Sequence, residues 1–281
     1  MLSIEKQILF LISRFPQVAI KDLVAIYKGR NYSEQYIRNC ISKLKQEGYI
    51  VSSSRSLYTI TENGCSLLNS VNAKPLKYFE TWNGQWYLVL VEIPETRRKI
   101  RDTFRTSLFQ LGFGRLYQSV FISPWNYQEE VSRLIKKHQI IERVSVFYGS
   151  MLTNFITPKQ AEIIWELPQL RTLYHEKEKW YRHTFLPNIK TLEQEKEGLK
   201  WLIEYLHLGE ELSDLCLKDP MLPKELLPSD WPGKGLLTEI ADQFWDMSQS
   251  TRVNLTICSS NTFPAFDQTG QSQHYSRSVR V

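Results

Sequence analysis

The segment from Ser33 to Gly48 constrains the fold most, because it joins a hydrophobic stripe to two helix boundaries. Its apolar residues recur at spacings of three and four, the period of one face of an α-helix: Ile37, Cys40, Ile41 and Leu44. Ser33 belongs to the residue types that cap the start of a helix, and Gly48 to those that end one. The sequence therefore predicts an amphipathic helix between these two residues.

The opposite face of this helix carries side chains that can donate hydrogen bonds to base edges and phosphates: Gln35, Arg38, Asn39, Ser42, Lys43 and Gln46. We expect no acidic residue among them before Glu47. An ordinary solvated helix mixes both signs of charge, so this pattern favours a surface that faces a nucleic-acid groove.

The flanking pattern is that of a winged helix-turn-helix. Two shorter helices are predicted before the amphipathic helix, from Ser3 to about Arg14 and from about Ile20 to Tyr27, with Gly29 as the stop of the second. Two β-rich runs follow it, Tyr49–Ser52 and Leu57–Ile60, joined by a turn that contains Arg55.

In such a module the third helix enters the major groove and the wing reaches the backbone or the minor groove. The candidate DNA-binding residues are Ser33, Gln35, Arg38, Asn39, Ser42, Lys43 and Arg55. A winged helix that contacts only protein remains the alternative.

Charge is distributed in favour of a polyanionic partner near the N-terminus. Residues 1–75 hold ten Lys and Arg against five Asp and Glu, although the whole chain has a net charge of only +5. Phosphate attraction requires such a local excess. We expect double-stranded operator DNA as the partner.

The middle of the chain alternates strands and helices: strand Trp86–Ile93, helix Glu95–Leu111, strand Tyr117–Ser123, helix Tyr127–Lys137 and strand Val144–Tyr148. This order predicts an α+β ferredoxin-like sandwich. A further strand is expected either between residues 113 and 123 or near residues 152–156. We predict four parts: a winged helix-turn-helix at 1–73, the sandwich at 74–156, a mostly helical domain at 157–247 and a flexible tail at 248–281.

Two features of the middle domain suggest other chemistry. Glu92 ends the first strand, where a carboxylate could hold Mg²⁺, but no partner carboxylate stands at a defined spacing. Arg97, Arg101 and Arg105 lie four residues apart on one helix face, which could grip phosphates or could be an ordinary solvated face neutralised by Asp102. We favour the solvated face, and we expect neither enzymatic activity nor a cofactor or metal.

The environment is predicted to be the cytoplasm. No apolar run approaches the ~20 residues of a membrane span. The four cysteines, Cys40, Cys65, Cys216 and Cys258, are far apart and include no CxxC pair. Disulfide and zinc frameworks are therefore not expected.

A segment with four prolines, LKDPMLPKELLPSDWPG from Leu217 to Gly233, predicts a stiff apolar strap. In residue sequence and in position along the chain it resembles the signature near the C-terminus of the PaaX family of phenylacetate-catabolism regulators. The stretches IRNCISKLKQEGYI, LYTITENG, WYLVLVEIPE and GFGRLYQSVFISP are similar to the same family.

The resemblance covers about residues 1–247 and implies a dimeric repressor of a catabolic operon. It also implies release from DNA by an aromatic acyl-CoA or related effector, phenylacetyl-CoA in the founding case. The family's middle domain is similar to the ferredoxin-like nuclease subunit of CRISPR adaptation. In that subunit an acid ends the first strand, and Glu92 is at the matching position. A Mg²⁺-dependent nuclease is therefore the alternative function. The family wing is often rich in arginine, whereas only Arg55 is present in SSSRS.

Overall fold

The computed structural model describes residues 4–65, 68, 74–195 and 197–258. Within them the chain has an α+β architecture, with helices packed around two small antiparallel sheets. The predicted α+β class is therefore confirmed.

The helices of the N-terminal unit include α1 (Ile4–Ser13), α2 (Ile20–Lys28) and α3 (Glu34–Gln46). They pack on a sheet of β1 (Val18–Ala19), β2 (Ile50–Ser54) and β3 (Leu57–Ile60) in the order β1-β3-β2. The hairpin turn is shorter than predicted because β2 continues to Ser54, which leaves Arg55 and Ser56 at the tip. Ser56 takes a left-handed φ of 65° there.

The middle unit has the strand order β5-β6-β4-β7. Its elements are β4 (Trp86–Val91), α4 (Arg98–Leu111), β5 (Gly114–Tyr117), β6 (Val120–Ser123), α5 (Gln128–His138) and β7 (Val144–Gly149). The further strand lies in the first of the two expected places, because residues 114–123 form a hairpin rather than one strand. Gly112 ends α4 with a φ of 105°, which favours glycine.

The C-terminal part consists of helices α6 (Pro158–Ile164), α7 (Leu167–Trp180), α8 (Leu186–Glu195), α9 (Gly198–Lys218) and α10 (Gly233–Cys258). A single turn of wider π-helix, Tyr181–Phe185, joins α7 to α8. Pro187 explains the wider turn, since proline cannot donate a backbone hydrogen bond and clashes with the carbonyl four residues earlier.

The apolar spacing of Leu199, Leu202, Ile203 and Leu206 predicts one helix from Leu192 to Asp214 with these residues facing inward. This prediction is wrong, because α8 ends at Glu195, α9 begins at Gly198 and Leu199 is 42 % exposed. The tail predicted from Ser248 begins inside α10, which is helical as far as Cys258. Residues 248–258 contain no proline or glycine, so nothing in them ends the helix. The rest of the predicted tail, 259–281, lies outside the described residues.

The proline-rich strap packs as predicted, and its centre is a buried carboxylate. The hydroxyls of Tyr78 and Tyr174 each donate a hydrogen bond to Asp219 Oδ2 at 2.5 Å. The backbone N–H of Met221 donates to Asp219 Oδ1 at 2.6 Å. Burial raises the pKa of the Asp219 carboxyl above its ordinary value. Three donors thus stabilise an acid that is expensive to bury.

The same strap binds the middle unit and the connector that precedes it, which includes the short 3₁₀-helix Lys74–Phe79. The indole N–H of Trp125 donates to the carbonyl of Met221 at 2.6 Å. The ammonium of Lys74 donates to the carbonyls of Gln110 and Leu217, and burial lowers its pKa to about 8. The strap is therefore the place where the connector, the middle unit and the C-terminal helices meet.

Replacing Asp219 with Ala should lower the free energy of unfolding by about 3–5 kcal/mol, because it leaves three buried donors without an acceptor. Asp230 is the control, since it lies in the same strap but its carboxylate binds Arg171 at the surface. Urea unfolding measures both variants. Equal midpoints for Asp219→Ala and Asp230→Ala would contradict this role of Asp219.

Candidate nucleic-acid interface

The local sequence explains why α3 presents one polar face to solvent. Ser33 caps the helix, because its hydroxyl accepts a hydrogen bond from the backbone N–H of Tyr36. The predicted apolar stripe, Ile37, Cys40, Ile41 and Leu44, is buried against the rest of the N-terminal unit. The opposite face is consequently fixed outward.

The structure brings six of the seven candidate residues together on or beside this outward face. Ser33, Gln35, Arg38, Asn39, Ser42 and Lys43 are all exposed. Arg55 is exposed as well, at the tip of the β2–β3 hairpin. The condition that this side of α3 must not be packed into the protein's own interior is met by the described residues.

The expectation that no acid lies among these residues was wrong. Glu34 binds Arg38 one helical turn away, with its Oε1 atom 2.8 Å from Nε and 2.6 Å from Nη2. Sequence reasoning could have found this pair, because a glutamate four residues before an arginine commonly binds it on a helix.

A second acid approaches the face from α1. Glu5 Oε1 lies 3.3 Å from the ammonium of Lys43. The hydrogen bond and charge of Glu5 raise the pKa of the Lys43 ammonium. No local pattern in the sequence predicts this contact, since the two residues are 38 positions apart. The two basic candidate residues on α3, Arg38 and Lys43, are therefore held by carboxylates in the free protein.

Two amide side chains of this face, Gln35 and Asn39, are linked along the helix. The side-chain amide of Gln35 donates to Asn39 Oδ1 at 2.9 Å. Both side chains keep further donors and acceptors available to solvent, since an amide group offers four such positions. Asparagine and glutamine are among the side chains that commonly bind base edges in protein–DNA complexes.

The arginine stripe of the middle unit is engaged within the protein. Arg97 donates to the carbonyls of His138 and Gln139, and Arg101 binds Glu95 at 2.6 Å. These contacts favour the interpretation of an ordinary helix face over a phosphate grip.

The proposed metal site at Glu92 has no support in the structure. Its side chain is exposed, and its backbone N–H donates to the carbonyl of Arg143 at 2.9 Å. Across the part of the chain that the structure describes, no group of three His, Cys, Asp or Glu could hold a metal ion.

Among the described residues, no helix is long and apolar enough to cross a membrane.

Comparison with known proteins matches most of the chain to two domain models of one family. Residues 79–161 match the model of the PaaX protein central Cas2-like domain, and residues 165–251 match that of the PaaX-like protein C-terminal domain. The chain belongs to the PaaX family. The family resemblance predicted from the strap is thereby confirmed.

One relative and one solved structure of similar fold extend the match beyond these family models. The transcriptional repressor PaaX of Escherichia coli K12 is 26 % identical over 228 residues, which cover 77 % of this chain and 70 % of that protein. The uncharacterized protein Rv0674 from Mycobacterium tuberculosis has a similar fold, with a TM-score of 0.56 at 18 % identity. That similarity covers 85 % of this chain and 92 % of the other, so it reaches most of both folds.

Proposed function

We propose that this PaaX-family protein is a sequence-specific DNA-binding transcriptional repressor whose N-terminal unit is a winged helix-turn-helix. The observation that carries the proposal is the outward face of α3, which exposes the amides of Gln35 and Asn39 together with the basic residues Arg38 and Lys43. The hairpin tip with Arg55 follows α3 as a wing follows a recognition helix. The name of the Escherichia coli relative, a transcriptional repressor, supports the same role.

On binding DNA, Arg38 and Lys43 would exchange their carboxylate partners for phosphates or base edges. Arg38 and Lys43 are held by Glu34 and Glu5 in ion pairs at the surface, where each pair contributes little. DNA phosphates compete well for such side chains, and counterion release adds to the affinity. Arg38 can then take the bidentate geometry that suits guanine.

We further propose that the protein acts as a homodimer through its middle unit, which has the connectivity of a ferredoxin-like sandwich. Cross-strand pairing places Leu90, Val120 and Tyr117 on one face of the sheet, and Phe147 beside Leu88 on the same face. Leu90, Tyr117 and Phe147 are 37 %, 59 % and 55 % exposed.

A second copy of the chain is the occupant that this face fits. The strand residues that point to this side carry no charge in any of the four strands, and the centres of protein interfaces are depleted in charge. A two-fold dimer would also present two copies of α3 to an inverted repeat, as DNA-binding dimers of this class require.

The regulated genes would form a catabolic operon, and the effector would be an aromatic acyl-CoA or a related compound. This part of the proposal rests on the family. DNA as partner would place the protein in the cytoplasm. Release of DNA requires that the effector bind one of two arrangements of the protein more tightly than the other.

Arg38→Ala should weaken binding to a selected duplex by about 1–3 kcal/mol, because it removes a base or phosphate contact. Glu34→Gln should strengthen binding severalfold, because Arg38 no longer has to leave a carboxylate. A gel-shift titration at fixed salt, with duplex selected from random DNA by the wild type, measures both. Lys99→Ala on α4 is the control and should bind as the wild type does. Unchanged affinity in Arg38→Ala would contradict the placement of α3.

Phe147→Lys should convert the dimer to a monomer, because it puts a charge into an apolar face that must become dry. Ile141→Lys is the matched control, since Ile141 is equally apolar and 75 % exposed but lies outside the face. Sedimentation velocity measures the mass of each variant. A wild type that is monomeric at micromolar concentration, or a dimeric Phe147→Lys variant, would refute the assignment.

Phenylacetyl-CoA should lower the affinity of the wild type for its selected duplex, whereas free CoA should not. Fluorescence anisotropy of the labelled duplex measures the change. If neither phenylacetyl-CoA nor another aromatic acyl-CoA releases the DNA at saturating concentration, the effector class is wrong while the DNA-binding role stands.

A further inference from the structure

A buried charged joint connects the N-terminal unit to α9. Arg30, in the turn between α2 and α3, donates from Nη2 to Glu210 Oε2 at 2.5 Å and from Nη1 to Gln7 Oε1 at 2.6 Å. Gln7 in turn donates from Nε2 to Glu210 Oε1 at 2.5 Å. The three side chains thus form a closed ring across α1, the α2–α3 turn and α9.

This joint is almost dry. The side chains of Arg30 and Glu210 are each only 9 % exposed. Gly29 packs beside them so closely that a Cβ atom there would lie 2.8 Å from Ile203 Cδ1 of α9. Phe10 of α1 lies against the rings of Tyr205 and Phe244 on the same side.

Apolar side chains would hold these surfaces together at lower cost. Burying two charges carries a desolvation penalty that their attraction often only offsets, so such a pair is weak evidence for stability. An arginine fork is planar and rigid, however, and accepts its partners in one geometry. The joint is therefore suited to fix one orientation of the N-terminal unit on α9.

The joint also reaches α3 directly. The guanidinium of Arg30 lies 5.9 Å from the centre of the Tyr32 ring. Tyr32 stacks on Tyr36 in the first turn of α3, with ring centres 5.7 Å apart and planes inclined by 18°. A continuous set of contacts thus runs from Glu210 through Arg30 and Tyr32 to the start of α3.

At its other side α9 contacts the middle unit. It packs against α2 of the N-terminal unit and also against α4 of the sandwich. The orientation of α3 relative to the middle unit, and so relative to the proposed dimer face, is therefore transmitted through α9.

We propose that the Arg30–Glu210 joint is the positioning element that sets the spacing between the two DNA half-sites. This inference rests on the proposed function. A single α3 can read a half-site in any orientation of the body, but two copies must lie about one helical turn of DNA apart, roughly 34–36 Å. A rigid joint keeps that separation, and a loose joint would let each α3 bind without holding the register.

The test compares duplexes that differ only in spacing. A half-site is selected from random DNA by the full-length wild type and is then presented alone, as an inverted repeat at the preferred spacing, and as repeats lengthened or shortened by a few base pairs. The variants are Arg30→Met, Glu210→Met and both together. The double variant is decisive, because it removes both charges and leaves neither one buried alone.

A control is the ion pair of Arg171 and Asp230, which is bidentate and joins α7 to the strap. The double substitution Arg171→Met with Asp230→Asn should leave all DNA affinities unchanged. Any general effect of removing an ion pair would appear in this control.

We expect the wild type to prefer one spacing, and the Arg30→Met/Glu210→Met variant to bind the single half-site as the wild type does. The variant should lose most of its preference between spacings, by a factor of about 3 to 100, the range that coupled contacts carry. Retained spacing preference in the variant would overturn the inference and leave DNA binding intact. Equal loss on half-site and full site would reduce the joint to a structural role and also overturn it. A wild type that binds no duplex would refute the proposed function itself.

Discussion

The buried carboxylate of Asp219 is the contact on which the rest of the structure depends. Asp219 is the C-cap residue of α9, and its carboxylate accepts hydrogen bonds from Tyr78, which precedes the middle unit, and from Tyr174 in α7. An acid without these donors would have to stay in water, and the strap could not pack against the middle unit. Because α9 ends at Asp219 and carries Glu210 earlier in the same helix, the same carboxylate indirectly positions the N-terminal unit.

Local patterns in the sequence predict the elements of the N-terminal unit well. The apolar period and the cap at Ser33 define α3, since both act within a few residues of chain. The limits of the method appear where the cause is distant. Asp219 meets a partner 141 positions away and Glu210 one 180 positions away, so no window of sequence contains these contacts. The break between α8 and α9 and the extension of α10 to Cys258 were likewise not predicted from local patterns.

For the candidate interface, the exposed residue types were predictable from the sequence. The ion pair that one of its basic residues forms in the free protein was not. The polar face of α3 follows from helical geometry alone, whereas the ion pair between Lys43 and Glu5 depends on how α1 packs across α3. In the free protein, Arg38 and Lys43 are therefore exposed but already paired with carboxylates. Such an arrangement favours specificity over raw attraction, because a duplex must offer better partners than the carboxylates it displaces.

The central claim is that the outward face of α3 lies against DNA, and lysine footprinting tests it most directly. Acetylation of each lysine is measured by mass spectrometry in the free protein and in its complex with a selected duplex. The account predicts protection of Lys43 and Lys45 on α3, with Lys99 on α4 and Lys136 on α5 unchanged. Protection of Lys99 and Lys136 with unchanged reactivity at Lys43 and Lys45 would contradict it.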